Sequence, residues 1–182
     1  MAEIKNITTP LCLSDVCSLR AGDEVSISGV LLTGRDQAHK RLCELIEAGK
    51  ELPVDLKGQV IYFVGPSPAR EGRAIGSAGP TTSSRMDAFS GALIERGLKG
   101  MIGKGYRGEN VRKALQDGRA VHFATIGGAG ALLSKHIVKS EIIAFADLAT
   151  EAIRLLEVVD FPAIVAYDCH GGSVYEDAIT NY

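Results

Sequence analysis

Short β-rich apolar runs alternate with segments of helical periodicity along this chain, and this alternation is the strongest constraint on its fold. Residues 60–64 form an apolar run bounded by Gly58 and Gly65, as buried strands commonly are. Residues 36–48 instead place apolar side chains at helical spacing and precede Gly49, a residue type typical of the position after a helix. Strands that alternate with helices indicate an α/β fold in which helices flank a sheet.

The predicted elements follow one another without a linker or an internal repeat. The pattern predicts strands at 25–30, 60–64, 100–102, 120–125, 138–144, 158–159 and 163–167. It predicts helices at 36–48, 84–96, 109–116 and 128–135. Residues 65–82, rich in Gly, Pro, Ser and Thr, are predicted to form a long loop, and loops of that length are often functional. Residues 1–182 are expected to form a single domain.

Composition and charge exclude several classes of function. The chain has 20 Lys and Arg against 22 Asp and Glu, a net charge of −2, without a basic cluster. We therefore expect neither nucleic-acid binding nor a polybasic membrane anchor. No stretch approaches the ~20 apolar residues of a membrane helix, and the polar N-terminal segment lacks the apolar core of a signal peptide. A soluble, cytoplasmic protein is expected, with many of its 21 glycines in tight turns.

The cysteines do not have the spacing of a metal site. No pair of them forms a CxxC motif, and they stand at Cys12, Cys17, Cys43 and Cys169. With only four histidines in addition, a self-contained zinc or iron–sulfur site in this chain is not expected. The cysteines are interpreted as reduced thiols of a cytosolic protein, some of them in its core.

Residues 103–108 read Gly-Lys-Gly-Tyr-Arg-Gly, a literal G-x-G-x-x-G between a predicted strand and a predicted helix. A dinucleotide-binding fold also requires an acidic residue about 20 positions later, after the next strand. Glycines follow the strand 120–125 instead, so nucleotide binding is an alternative that lacks its usual partner residue. A flexible turn, or a loop that directs Lys104 toward an anion, explains the same pattern.

Residues 79–87 place four consecutive hydroxyl residues and an arginine at the start of a predicted helix. Free backbone N–H groups and the positive end of the helix dipole favour an anion at such a position. The planar guanidinium of Arg85 is suited to a carboxylate or phosphate, which it can hold through two hydrogen bonds. Alternatively, Ser83 or Ser84 caps the helix, Ser84 with Asp87 as a capping box, and Arg85 is solvated.

Arg35 occupies the same kind of position after the first predicted strand, behind a glycine turn and at the mouth of a helix. His39 and Lys40 lie one turn further on, where exposed helix residues are a more frequent outcome than catalytic ones. Arg35, Arg85 and Lys104 together suggest three cations converging on one anion. A small dicarboxylate and a phosphate satisfy them equally, so composition and spacing lead only to an anion-binding α/β domain.

Four segments, in their order and spacing, carry a resemblance to a known family. They read T-G-R-D-x-A-H-K at 33–40, G-P-T-T-x-x-R-M-D at 79–87, M-I-G-K-G at 101–105 and D-F-P-A at 160–163. They resemble the β subunit, or C-terminal domain, of class I iron–sulfur hydro-lyases, fumarate hydratase and L-tartrate dehydratase. The resemblance implies a swivelling β/β/α domain with a mixed sheet and flanking helices. It also implies a [4Fe–4S] cluster ligated by a partner α subunit, in a heterodimer or heterotetramer, and allows self-association of this chain.

The resemblance further implies roles for individual residues. By motif, the substrate-binding positions correspond to Arg35, Thr82, Arg85 and Lys104. Thr81 corresponds to the residue that removes the C3 proton. Asp36 and Asp87 are expected to support the site, by orienting Arg35 and Arg85 or by capping helices. No cysteine of this chain matches a cluster position.

The implied reaction is the reversible hydration of fumarate to (S)-malate, or the dehydration of tartrate to oxaloacetate, with fumarate favoured. Either reaction places extra charge on one carboxylate in the transition state, where fixed cations stabilise it. A threonine hydroxyl is a poor base unless a neighbour accepts its proton, so help from the partner chain, the cluster or Arg85 is expected. A stand-alone phosphate- or nucleotide-binding enzyme and a non-catalytic small-acid-binding module stay open as alternatives.

Overall fold

The computed structural model describes residues 3–126 and 128–176, which include seven strands and five α-helices, and residues 174–176 are also helical. The strands are β1 Lys5–Thr9, β2 Glu24–Thr33, β3 Val60–Tyr62, β4 Gly100–Gly103, β5 Val121–Ala124, β6 Ile137–Ala144 and β7 Ile153–Tyr167. The α-helices are α1 Leu13–Ser18, α2 Asp36–Glu47, α3 Asp87–Glu95, α4 Glu109–Asp117 and α5 Gly130–Leu133. Three 3₁₀ turns complete the set, at Ser83–Met86, Ser134–His136 and Ala146–Glu151.

The strands form one mixed sheet in the order β1-β2-β3-β4-β5-β7-β6. The pairs from β1 to β5 are parallel, whereas β7 is antiparallel to β5 and β6. The long strand β7 also pairs with β2, so β2, β3, β4, β5 and β7 close into a five-stranded barrel. The predicted α/β class, with a mixed sheet and flanking helices, is confirmed.

The two faces of the closed sheet are packed differently, as the alternation of side chains along β3 illustrates. Val60 and Tyr62 belong to the cluster that fills the inside of the closed sheet. Ile61 and Phe63 belong to a second cluster, in which residues of α2, α3 and α4 cover the outer face. All four side chains are at most 2% exposed, and each contributes about 1.5–3 kcal/mol through burial.

Several sequence predictions were wrong in detail. The strands predicted at 158–159 and 163–167 are one strand, β7, because a bulge absorbs the intervening turn residues: Asp160 has φ 51°, and Pro162 pairs with Ser26. The elements β1 and α1 were not predicted. The helix predicted from residue 84 instead opens with the 3₁₀ turn and becomes α-helical at Asp87.

The predicted helix ends at two glycines are confirmed. Gly49 and Gly97, with φ 66° and 97°, follow the ends of α2 and α3.

No helix among the described residues has the length and apolar content needed to cross a membrane.

The loop predicted at 65–82 carries no helix or strand and touches the sheet at its end, where Thr82 forms an isolated parallel bridge with Lys104. This bridge brings the end of the long loop beside the end of β4.

His39 was expected to be exposed, but its side chain is completely buried under α2. Its Nδ1 lies 2.8 Å from the carbonyl oxygen of Arg35, which can only accept a hydrogen bond, so Nδ1 carries the proton. The Nε2 atom is buried without a hydrogen-bond partner among the described residues. The buried His39 side chain thus anchors the backbone carbonyl of Arg35 through its Nδ1 hydrogen bond.

The burial of His39 predicts a pH-dependent stability. Burial is the main cause that lowers its pKa from 6.5 to about 4. Below pH 6.5 the His39 side chain of the unfolded chain binds a proton, whereas that of the folded chain stays neutral. The contribution of neutral His39 to the free energy of unfolding is therefore fully present above pH 6.5 and declines as the pH falls toward 4. This loss amounts to about 3 kcal/mol by pH 4. Urea unfolding at pH 7 and 4.5 measures it; His39→Gln should reduce the difference, and an unchanged difference would contradict the prediction. The exposed His170 provides the control His170→Gln.

Candidate active site

The candidate site lies at one edge of the sheet, where three neighbouring parallel strands end. Arg35 follows β2, Lys104 follows β4, and the backbone N–H of Thr81 donates to the carbonyl oxygen of Phe63, just beyond β3, at 2.7 Å. The carboxyl ends of adjacent parallel strands lie at the same edge, so the fold brings these three segments together. This is the usual position of ligand sites in α/β folds.

Arg35 has hydrogen-bonding capacity that the described residues do not use. Its Nε is buried without a hydrogen-bond partner in the described part of the chain. The nearest carboxylate oxygens, on Asp36 and Glu151, both lie 3.9 Å from its nitrogens, beyond hydrogen-bond range. A Cβ at Gly65 would lie 2.6 Å from Nη1, so glycine at this position makes room for the guanidinium. The side chain, 24% exposed, can therefore still donate to an anion.

Arg85 is held by Asp36 through two parallel hydrogen bonds. Its Nε donates to Oδ1 at 3.0 Å and its Nη2 to Oδ2 at 2.8 Å. This pair links the start of α3 to the start of α2 and leaves Nη1 for a ligand. Asp36 thus orients Arg85 closely and lies near Arg35. Although its side chain is 48% exposed, Arg85 is ion-paired with Asp36 rather than only solvated.

Backbone hydrogen bonds hold the Thr81 segment against Lys104. The Lys104 N–H donates to the Thr81 carbonyl oxygen at 3.2 Å, and the Ser83 N–H donates to the Lys104 carbonyl oxygen at 2.8 Å. The hydroxyls of Thr81 and Thr82 make no hydrogen bond to any described residue. The Lys104 ammonium likewise makes no hydrogen bond or ion pair with a described residue. These polar groups are therefore available to a ligand.

The close contact between Gly103 and the Thr81 segment predicts the effect of adding one methyl group. A Cβ at Gly103 would collide with Ser83 Oγ and lie 2.9 Å from Phe63 Cδ2. Gly103→Ala should therefore displace residues 81–83 and lower the free energy of unfolding by about 1–3 kcal/mol. Gly91→Ala is the matched control, because the space at this α3 position is open, and it should stabilise by up to about 1 kcal/mol. Equal effects of the two substitutions in urea unfolding would contradict the prediction.

Arg107, in the G-x-G-x-x-G segment, forms a buried ion pair behind the site. Its guanidinium is fully buried and donates from Nε to Asp87 Oδ1 at 2.7 Å. It also contacts His122 Nδ1 at 3.1 Å and donates to Ser90 Oγ at 2.5 Å. Burial lowers the pKa of Arg107 and the Asp87 carboxylate opposes the shift. Burial and the Arg107 charge hold the pKa of His122 well below its usual range, so His122 is neutral and accepts at Nδ1.

Asp87 therefore supports the site by a route that the sequence did not predict. It binds Arg107 and accepts a hydrogen bond from the backbone N–H of Gly108 at 2.7 Å, and it orients neither Arg35 nor Arg85.

The side chains of Ser83 and Ser84 make no capping hydrogen bond, so the helix caps expected from the sequence are wrong. Ser83 Oγ is buried without a partner in the described residues. Arg107 was missed because the motif drew attention to its glycines. Glu151, which faces Arg35, had no signal in the sequence.

The described residues offer no ligand set for a metal centre. No group of three or more His, Cys, Asp or Glu side chains in 3–126 and 128–176 is placed to hold a metal ion. The four cysteines are free thiols, with Cys12 exposed, Cys169 buried and the other two in between. An iron–sulfur cluster therefore does not fit among the described side chains of this chain.

The chain thus falls in the class of mixed α/β domains with a small closed sheet and a cationic edge. Arg35 and Lys104 follow β2 and β4, and Arg85 lies in the turn that opens α3. This chain belongs to one particular family of that class, the fumarase C-terminus family, whose sequence model matches residues 2–178. The resemblance inferred from the four motifs is confirmed.

Curated relatives place the chain within this family. It is 36% identical over 169 residues, 92% of its length, to the anaerobic class I fumarate hydratase of Escherichia coli. It is 34% identical over 94% of its length to the mitochondrial fumarate hydratase 1 of Leishmania major. The chain spans only about a third of these relatives, 31% and 32%. By contrast, it spans 89% of a Methanocaldococcus jannaschii protein provisionally named L(+)-tartrate dehydratase subunit beta, to which it is 35% identical.

Proposed function

We propose that this chain is the β subunit of a two-subunit class I hydro-lyase that hydrates fumarate to (S)-malate, or dehydrates tartrate to oxaloacetate. The observation that carries the proposal is the grouping of Arg35, Arg85 and Lys104 on three adjacent loops of a family member. The names of the relatives support hydro-lyase activity, and the match along nearly the whole length of a β-type subunit supports a separate α subunit. The [4Fe–4S] cluster belongs, in this proposal, to the α subunit, since the described residues of this chain contain no group of three or more suitable ligands.

The cations act on the carboxylates of the substrate. The guanidinium groups of Arg35 and Arg85 bind planar carboxylates, and Lys104 adds a compact positive charge on the neighbouring loop. When the C3 proton leaves malate, negative charge moves onto the adjacent carboxylate, and fixed cations stabilise that state more than the ground state. Because Asp36 holds the Arg85 guanidinium in place before substrate arrives, that group needs little reorganisation.

Thr81 is the proposed proton-transfer residue, with Thr82 beside it as a substrate contact. A threonine hydroxyl needs an acceptor for its own proton, and none of the described residues hydrogen-bonds to it. We therefore expect the accepting group to belong to the α subunit. The swivelling of this domain relative to the α subunit and a cytoplasmic location are further parts of the proposal.

The proposal is tested by reconstitution under anaerobic conditions. The chain alone should be colourless and inactive, and should gain activity with the α chain of the same organism, assayed on fumarate, malate and both tartrate enantiomers. Hydratase activity of the isolated chain would refute the divided site. Within the complex, Thr81→Val should lower kcat with little change in KM, and Thr81→Ser should retain a large part of the activity because it keeps the hydroxyl.

A further inference from the structure

An apolar groove of about 430 Å³ opens beside the candidate site, between the end of β5, α5 and the beginning of β2. Large apolar side chains in its wall are exposed to solvent, namely Ile126 at 74%, Leu132 at 62%, Ile4 at 56% and Ile164 at 41%. Polar side chains at the rim include Glu24 and His136. Contiguous exposed apolar surface of this kind marks a site of interaction with another molecule.

Backbone hydrogen bonds connect this groove to the loops of the candidate site. The N–H of Thr125, which lines the groove, donates to the carbonyl oxygen of Gly103 at 3.0 Å, next to Lys104. The N–H of Ala78 donates to the carbonyl oxygen of Gly130 in α5 at 3.1 Å, on the loop that leads to Thr81. A molecule seated in the groove therefore contacts elements that are hydrogen-bonded directly to both loops.

The relatives indicate what fills the groove. The family is described as the C-terminus of fumarase, and the chain spans 31% of the E. coli enzyme, so in such proteins further chain precedes the counterpart of β1. Ile4, the residue before β1, is part of the groove wall. The remainder of a single-chain relative therefore starts at the groove. A dicarboxylate substrate is unsuited to an apolar wall, whereas a hydrophobic segment of protein fits it.

We infer that the groove is the docking surface for the α subunit, and that an apolar segment of that subunit covers Ile126 and Leu132. The inference rests on the proposed function, since it requires an α subunit. It adds to that proposal the place where the two chains meet, beside the loops of Thr81 and Lys104. Docking at this place aligns the cationic edge with the α subunit and closes the groove to water.

The test measures binding rather than activity. The immobilised chain is titrated anaerobically with the purified α chain of the same organism, as wild type and as Ile126→Asp and Leu132→Asp. Both side chains are largely exposed, so the variants should keep the wild-type melting temperature and circular dichroism. Each should bind about tenfold more weakly or worse, because a buried apolar contact is replaced by a charge. Leu13→Asp, 56% exposed on α1 and outside the groove, is the matched control and should bind normally.

The outcomes separate this inference from the proposed function. Failure of the wild-type chain to bind the α chain refutes the two-subunit proposal itself. Binding of the wild type together with equally tight binding of both groove variants leaves that proposal intact and overturns the docking surface. An isolated chain that dimerises, and that becomes monomeric in both groove variants, assigns the groove to a second copy and also overturns the inference.

Discussion

Replacing Arg35 by alanine is expected to lower kcat/KM of the proposed two-subunit hydro-lyase by a factor corresponding to about 2–5 kcal/mol. The guanidinium has donors that no described carboxylate satisfies, and its Nε is buried without a partner in the described part of the chain. Those donors are free for an anion, and in the proposed reaction they stabilise the charge that develops on a substrate carboxylate. Steady-state kinetics on malate and fumarate measure the effect.

The matched control is Arg41→Ala on α2, the helix that begins directly after Arg35. Arg41 pairs with Asp147 through two hydrogen bonds of 2.9 Å on the exposed surface. Its loss should change kcat/KM less than about threefold, as expected for a surface ion pair. Arg35→Lys should retain the charge but lose the paired hydrogen bonds, and so fall between wild type and Arg35→Ala. Equal kcat/KM for Arg35→Ala and Arg41→Ala would refute the role of Arg35.

Replacing Arg107 by methionine is expected to reduce the free energy of unfolding by about 3–5 kcal/mol. The substitution leaves the carboxylate of Asp87 without its cation, and it leaves Nδ1 of the fully buried His122 without its donor. The loop that carries Lys104 and the start of α3 both depend on this pair. Urea unfolding of the isolated chain at pH 7 measures the loss.

Arg41→Met tests whether burial, rather than the ion pair as such, causes the loss. Its pair with Asp147 has similar hydrogen-bond lengths but lies at the surface, so the expected change is below about 1 kcal/mol. Adding Asp87→Asn to Arg107→Met should recover part of the stability, since the unpaired charge is removed. Similar losses for Arg107→Met and Arg41→Met would show that the buried pair contributes no more than a surface pair.

Local patterns predicted the elements whose signals are local. The period of the apolar residues predicted α2, and Gly49 and Gly97 marked helix ends correctly, because a positive φ at those positions favours glycine. The motif resemblance predicted the family, which the comparison along residues 2–178 confirms. The roles of Arg35, Thr81 and Lys104 stay predictions, although the fold places all three at one edge of the sheet.

Features that depend on distant contacts could not be predicted in this way. The continuity of β7 through Asp160 and Pro162 arises from pairing with β2, more than a hundred residues earlier in the sequence. The pairing of Asp87 with Arg107 depends on how α3 packs beside the loop after β4, which no spacing encodes. His39 resembled a surface residue because helical period alone does not show which polar position faces the core.

The closed ring of strands has a mechanical consequence for the candidate site. The site loops follow β2, β3 and β4, and each of these strands is hydrogen-bonded to neighbours on both sides. Separating one strand from the next would break backbone pairing that the barrel maintains all the way round. The backbone segments that carry the three cations therefore keep a fixed spacing, and any approach to a partner moves these segments together. The entropy of arranging these backbone segments is lost when the chain folds, before a substrate arrives.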